Sequence, residues 1–180
     1  MINESSGIGS RLKKVAMERH MHLHHFIRRV PDWRAAVIAG CAAGAVFLVL
    51  EFLGMWFAGQ SPWGAPRMIA AIAVGRGVLA QPATFDVGIV LVALVVHFLL
   101  SIIFALILAV IIAPFSFDSS MGMASLAGAV FGATVYLINF YGMSHVFPWI
   151  EDARSWVSFM SHIVFGLVAA DTYLRLERKE

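Results

Sequence analysis

Four stretches of this chain are each long and apolar enough to cross a lipid bilayer, which takes about 20 residues of helix. They run roughly from Ala35 to Ala58, Val87 to Ala113, Met123 to Tyr141 and Val157 to Tyr173. Composition agrees with that reading. The 180 residues are 60% hydrophobic and 13% charged, with a mean hydropathy of +0.82. A soluble domain is nearer half apolar and a quarter charged. The expected fold is therefore all-α: an integral membrane four-helix bundle preceded by an amphipathic helix. Residues 1–34 form a basic cytoplasmic arm, 35–174 the membrane bundle and 175–180 a cytoplasmic tail.

Local signals mark the ends of the spans. Asp86 and Asp118-Ser119-Ser120 precede the second and third and read as helix caps. Trp156 and Tyr173 bracket the fourth as interfacial anchors. Between the first two spans, "PRMIAAIAVGRGVLAQP" is too short to cross and carries Arg67 and Arg76. It reads as an interfacial or re-entrant helix entered at Pro66 and stopped by Pro82.

Orientation follows from the basic residues. Arg11, Lys13, Lys14, Arg19, Arg28, Arg29 and Arg34 precede or open the first span, and Arg175, Arg178 and Lys179 follow the last. An even number of spans puts both sets on one side, which the positive-inside rule makes cytoplasmic. No cleaved signal peptide is expected, because the first thirty residues hold no unbroken apolar core. The single cysteine, Cys41, excludes an intrachain disulfide. In the arm, Leu12, Val15, Ala16, Leu23, Phe26, Ile27 and Val30 approximate one helical face beside Arg and Lys. That is the pattern of a basic amphipathic helix on a membrane surface. His20, His22, His24 and His25 are read there as interfacial or partner-facing side chains, with a metal pair of His20 and His24, one turn apart, as the alternative.

The chain resembles itself. "GCAAGAVFLVLEFLGM" (Gly40–Met55) overlays "GAVFGATVYLINFYGM" (Gly128–Met143) with six of sixteen positions identical. Pro62-Trp63 then matches Pro148-Trp149, and His97-x-x-x-Ser101-x-x-x-Ala105 matches His162-x-x-x-Gly166-x-x-x-Ala170. The expectation is a duplicated helical hairpin, repeat one at about 35–113 and repeat two at about 123–174. Two-span units keep their topology, so the halves are parallel repeats about an axis along the membrane normal.

The repeat also pairs the polar residues: His97 with His162, and Glu51 with Asn139. All four fall in the outer half of their spans and form a candidate buried polar layer. Gly40 and Gly44 share a helix face with Glu51, and Gly128 and Gly132 share one with Asn139. Ser101 and Gly166 lie one turn from the histidines. Small residues four apart let membrane helices approach closely, so these faces are expected to pack. Ionisable groups at such depth are functional candidates by default, although interhelical hydrogen bonding alone accounts for them. No phosphate-binding glycine loop, Gly-x-Ser-x-Gly or Cys-x-x-Cys occurs, and no catalytic residue is assigned.

The span beginning "HFLLSIIFALILA", the last span "SHIVFGLVAA", and above all "NFYGM" followed by "FPW" resemble small four-span bacterial inner-membrane proteins of unknown function. The likeness covers roughly Ala35 to Tyr173. It implies the fold and a bacterial inner-membrane location, and no chemistry. Some such proteins carry a sodium:proline symporter label. That transporter class has many more spans, so the label is not carried over.

The resulting expectation is a non-catalytic accessory subunit of a larger inner-membrane complex, respiratory in the first instance. Its partners would be other membrane subunits and the lipid bilayer, with no nucleic acid. Two alternatives stay open. One is a self-contained conductor of protons, ions or a small solute. The other is a b-type haem electron-transfer subunit, with His97 and His162 as axial ligands. No cofactor or metal is otherwise expected; His97, His162 and Glu51 are the residues that would hold a metal.

Overall fold

The computed structural model describes residues 30–113 and 121–177, and every element among them is helical. Residues 1–29 of the basic arm, the Asp118-Ser119-Ser120 cap and residues 178–180 lie outside the described residues, and the arm's last two residues, Trp33 and Arg34, already belong to the first helix. Four helices have the length and hydropathy of membrane spans. They are α1 (Trp33–Phe57), α3 (Val87–Ile112), α4 (Met121–Leu137, running on into a π turn at Ile138–Gly142) and α5 (Trp156–Leu176). The short helix α2 (Gly64–Val74) sits between the first two.

Side-chain caps fix three of the starts. Asp32 accepts from the amides of Arg34 and Ala35 at 3.0 and 3.1 Å, Asp86 from Ile89 at 3.0 Å, and Ser155 from Ser158 at 3.0 Å. Each satisfies backbone donors that a helix start leaves bare. The Asp86 cap is the one the sequence signals.

Helix α2 is shorter than the sequence pattern suggests. It ends at Val74 because Gly75 takes a positive φ of 85°, and a 3₁₀ turn over Arg76–Leu79 follows. The stop is thus a glycine stop, not Pro82. Gly59, at φ 68°, makes the bend before it. The loop beyond α2 is tied together by Arg67. Its guanidinium donates to the Val78 carbonyl at 2.8 Å and to the Thr84 carbonyl at 3.1 and 3.3 Å.

The helices form a row. Helix α1 packs against α3 on one side and α5 on the other, α5 also packs against α4, and α3 and α4 barely touch. The outlying α2 lies along α3, burying Ala70 and Ala71. It is also held to the connector between α4 and α5. There, Trp149 Nε1 donates to the Met68 carbonyl at 3.0 Å, and the Arg76 guanidinium lies 5.1 Å from the centre of the Trp149 ring.

The half of the bundle at the start of α1 and the ends of α3 and α5 holds the apolar core. Ala35, Ala36, Ala39, Ala43, Leu108, Ala109, Ile112, Phe165, Ala169, Ala170 and Tyr173 form one buried cluster. Tyr173 belongs to this core and is not an interfacial anchor. It is 2% exposed. Its hydroxyl accepts from the Asp32 amide and donates to Glu177, both at 3.2 Å. A tyrosine is accommodated in a core when its hydroxyl finds such partners. Trp156, by contrast, is exposed at its helix end, as are Trp33 and Trp56 on α1. The outward faces carry large apolar side chains such as Val95, Leu99, Ile103 and Ile107 on α3, and Leu126 and Val130 on α4.

Candidate functional site

Glycine sets the helix spacing around the polar layer. A Cβ added to Gly40 would lie 2.8 Å from Ile102 Cα and 3.1 Å from Ala105 Cβ; one added to Gly44 would lie 2.7 Å from Ser101 Oγ. Between α4 and α5 the fit is closer still. A Cβ on Gly128 would strike the Gly166 carbonyl oxygen, one on Gly132 the His162 carbonyl, and one on Gly166 the Gly128 carbonyl. All five glycines and Ser101 therefore sit on packing faces.

His162 is buried and fully bonded. Its Nδ1 lies 2.7 Å from the Ser158 carbonyl, which can only accept, so Nδ1 carries the proton. Its Nε2 then accepts from the Asn139 amide nitrogen at 3.3 Å. Asn139 lies within the π turn, whose extra residue alters the helical register there. The same turn leaves the Phe140 carbonyl free, and Arg154 Nη2 donates to it at 2.8 Å. Arg154 also lies over the Tyr141 ring, 4.3 Å from its centre.

His97 behaves differently. Its Nε2 donates to the Gly44 carbonyl at 3.0 Å, and Ser101 Oγ lies 3.4 Å from the same nitrogen. Phe47 packs on both histidines, with ring centres 5.6 Å from His97 and 4.8 Å from His162. Tyr136 and Phe140 complete the aromatic wall of His162.

Glu51 does not meet His97. It lies between Phe47 and Gly54, which meet α5 at His162 and Val157, and its Oε1 is fully buried with no hydrogen bond among the described residues. The sequence puts Gly40, Gly44 and Glu51 on one stripe. That stripe is divided between two neighbours: the glycines face α3, and Glu51 faces α5. The reason is that α1 lies in the middle of the row, so its inward face serves two partners.

Along the axes, Glu51 lies six residues before the end of α1 and His162 six after the start of α5, about 9 Å, and His97 lies ten residues into α3, about 15 Å. All are in the half of the bundle that carries α2 and the connector between α4 and α5. Sequence reasoning missed Ser158, Ser161 and Phe47. Ser158, Ser161 and His162 recur at i, i+3 and i+4, which places them on one face and was a readable signal.

Chemically, the layer can hold helices together through hydrogen bonds. Among the described residues, no three His, Cys, Asp or Glu side chains converge as a metal-binding set. No family model, no curated protein and no solved structure matches the chain.

Proposed function

We propose that this is a non-catalytic subunit of a larger inner-membrane assembly, of the respiratory kind. Its four-span bundle would serve as a rigid scaffold for other membrane subunits. One observation carries the reading: His97, Asn139 and His162 of the polar layer are spent on their own helix contacts, and the layer stops at the apolar core. A conductor needs a polar route across the whole membrane, and the apolar cluster around Leu108, Phe165 and Tyr173 is filled. The conductor reading keeps one point in its favour, the unbonded Oε1 of Glu51. The haem reading has less. It needs both imidazoles free to face one iron, whereas each has its Nε2 engaged and Phe47 packs against both rings.

The hairpins are read as duplicated halves. Gly40 and Gly128 meet Ala105 and Ala170, and Gly44 and Gly132 meet His97 and His162, as the repeat alignment pairs them. The cross-hairpin contacts are unequal, since α1 lies against α5 while α3 stands off α4. The extra helix α2, present only in the first half, braces α3 on that side.

Native mass after mild detergent extraction tests the subunit reading. The expected result is a stoichiometric complex with unrelated membrane chains. A monomer or a homo-oligomer would overturn it.

The assigned location is the bacterial inner membrane with both termini in the cytoplasm, on the strength of the basic residues at both ends. A reporter active only in the periplasm should stay silent when fused after Glu180. It should become active when inserted in the connector at Glu151–Asp152. The opposite pattern would reverse the orientation.

A further inference from the structure

A side chain from the connector between α4 and α5 holds the end of α4 in an unusual register. In the π turn at Ile138–Gly142 the Met143 amide bonds the Ile138 carbonyl, one residue further on than α-helical bonding reaches. Such turns are rare, so something outside the helix has to favour this one. Arg154 does so twice. Its Nη2 donates to the Phe140 carbonyl at 2.8 Å, and its guanidinium lies 4.3 Å from the centre of the Tyr141 ring. Both contacts fall inside the turn. A planar guanidinium donates at its edge and stacks with its face at once, which an ammonium cannot. The same turn carries Asn139, whose amide donates to His162 Nε2 at 3.3 Å, and Phe140, whose ring lines His162. The arginine, the turn and the buried histidine therefore lie in series.

Arg154 also has a second seat within reach. The same Nη2 lies 3.6 Å from Glu151 Oε1, too long for a hydrogen bond, and the two side chains are 34% and 56% exposed. A small rotation of the guanidinium would bring it onto that carboxylate. An ion pair so open to water is weak. The bond to Phe140 runs from a charged donor in a partly buried place, which makes it the stronger of the two. The seat on the carbonyl is thus the resting one.

We propose that Arg154 is a two-position latch that couples the connector to the buried polar layer. Seated on the Phe140 carbonyl, it holds the π register and keeps Asn139 on His162. Drawn off onto Glu151, it lets the turn relax toward α-helical bonding, which rotates Asn139 away and leaves His162 Nε2 without its donor. The latch stands whether or not the chain is a subunit of a larger complex, and its tests do not involve partner chains.

The test uses the full-length protein in one detergent and two readouts: hydrogen exchange at the Met143 amide, and the NMR signal of the His162 Nε2 nitrogen, assigned with His162→Gln. Asn139→Leu supplies the position of that signal when no donor is present. Arg154→Met keeps much of the side chain's bulk and removes its donors. It should speed exchange at Met143 by about tenfold or more, the loss of one hydrogen bond from a charged group. It should also move the His162 signal toward its position in Asn139→Leu. Arg154→Lys keeps the charge without the planar stack and should fall between the two. Glu151→Gln removes the second seat and should slow exchange at Met143. Added salt should slow it in the parent and not in Glu151→Gln, because screening acts on the exposed pair. An arginine that merely stabilises the bundle would give faster exchange throughout α4 and α5 with the His162 signal unmoved, and that result overturns the proposal. Faster exchange at Met143 in Glu151→Gln would also overturn it, since Glu151 would then support the resting seat and not compete with it. Should Arg154→Met fail to fold, Arg154→Lys and Glu151→Gln still decide the matter by the same two readouts.

Discussion

Replacing Gly166 with valine should abolish the folded bundle or cost on the order of 3 kcal/mol or more. The reason lies in what stands opposite. Most overpacked positions relax by moving a flexible side chain, at about 1–3 kcal/mol. At Gly166 the obstacle is backbone: the Gly128 carbonyl oxygen and carbon, with the Gly132 amide nitrogen 2.9 Å from the added Cβ. A carbonyl in an α-helix cannot turn aside without breaking its own hydrogen bond. Helices α4 and α5 would have to separate along the contact that holds Asn139 against His162. Milder substitutions grade the effect. Gly44→Ala meets the Ser101 hydroxyl, which can turn, at 2.7 Å and the Ser101 Cβ at 2.9 Å, with no backbone atom in the way, and should cost about 1–3 kcal/mol. Gly77→Ala meets nothing within 4 Å and should be near neutral. Thermal or denaturant melts of the purified proteins in one detergent give the ranking. A Gly166→Val protein as stable as Gly77→Ala would show that α4 and α5 do not lie this close.

The glycine faces were legible in the sequence because four-residue spacing maps directly onto one side of a helix. The spans were legible for a similar reason, since a run of apolar residues has one dominant use. Three things were not. The order of helices in the row depends on which faces meet, and α3 and α4 present similar apolar outer faces. The π turn at Ile138–Gly142 leaves no composition signal, yet Asn139 meets His162 from within it. Glu51 faces α5 because α1 is central, a fact of assembly and not of local pattern. Tyr173 illustrates the same limit. At a span end it has the look of an anchor, and only its partners, the Asp32 amide and Glu177, reveal that it is core.

His162→Leu should destabilise the bundle by about 1–3 kcal/mol, and His162→Gln by about 0.5–2 kcal/mol. Leucine fills much of the space between Phe47, Tyr136 and Phe140 but offers no polar atom. It leaves the Asn139 amide without its acceptor in a nearly dry site. The Ser158 carbonyl suffers less, because it sits in the first turn of α5 and retains its place in the helix. Glutamine restores one donor and one acceptor on a flexible stem, so part of the bonding returns. Asn139→Leu provides the complementary test. If the Asn139–His162 contact holds the hairpin, Asn139→Leu combined with His162→Leu should cost less than the sum of the two single changes, because neither variant then strands a polar partner. Equal additivity would mean the two side chains act separately. A stronger outcome bears on function. If His162 carried a haem or relayed protons, the glutamine variant would fold normally and lose all activity. For a helix-locking role, activity should track the amount of assembled protein across Gln, Leu and the double variant. Measured per folded protein, it should stay at the parent level, and a drop confined to His162 variants that fold fully would move the residue from helix contact to chemistry.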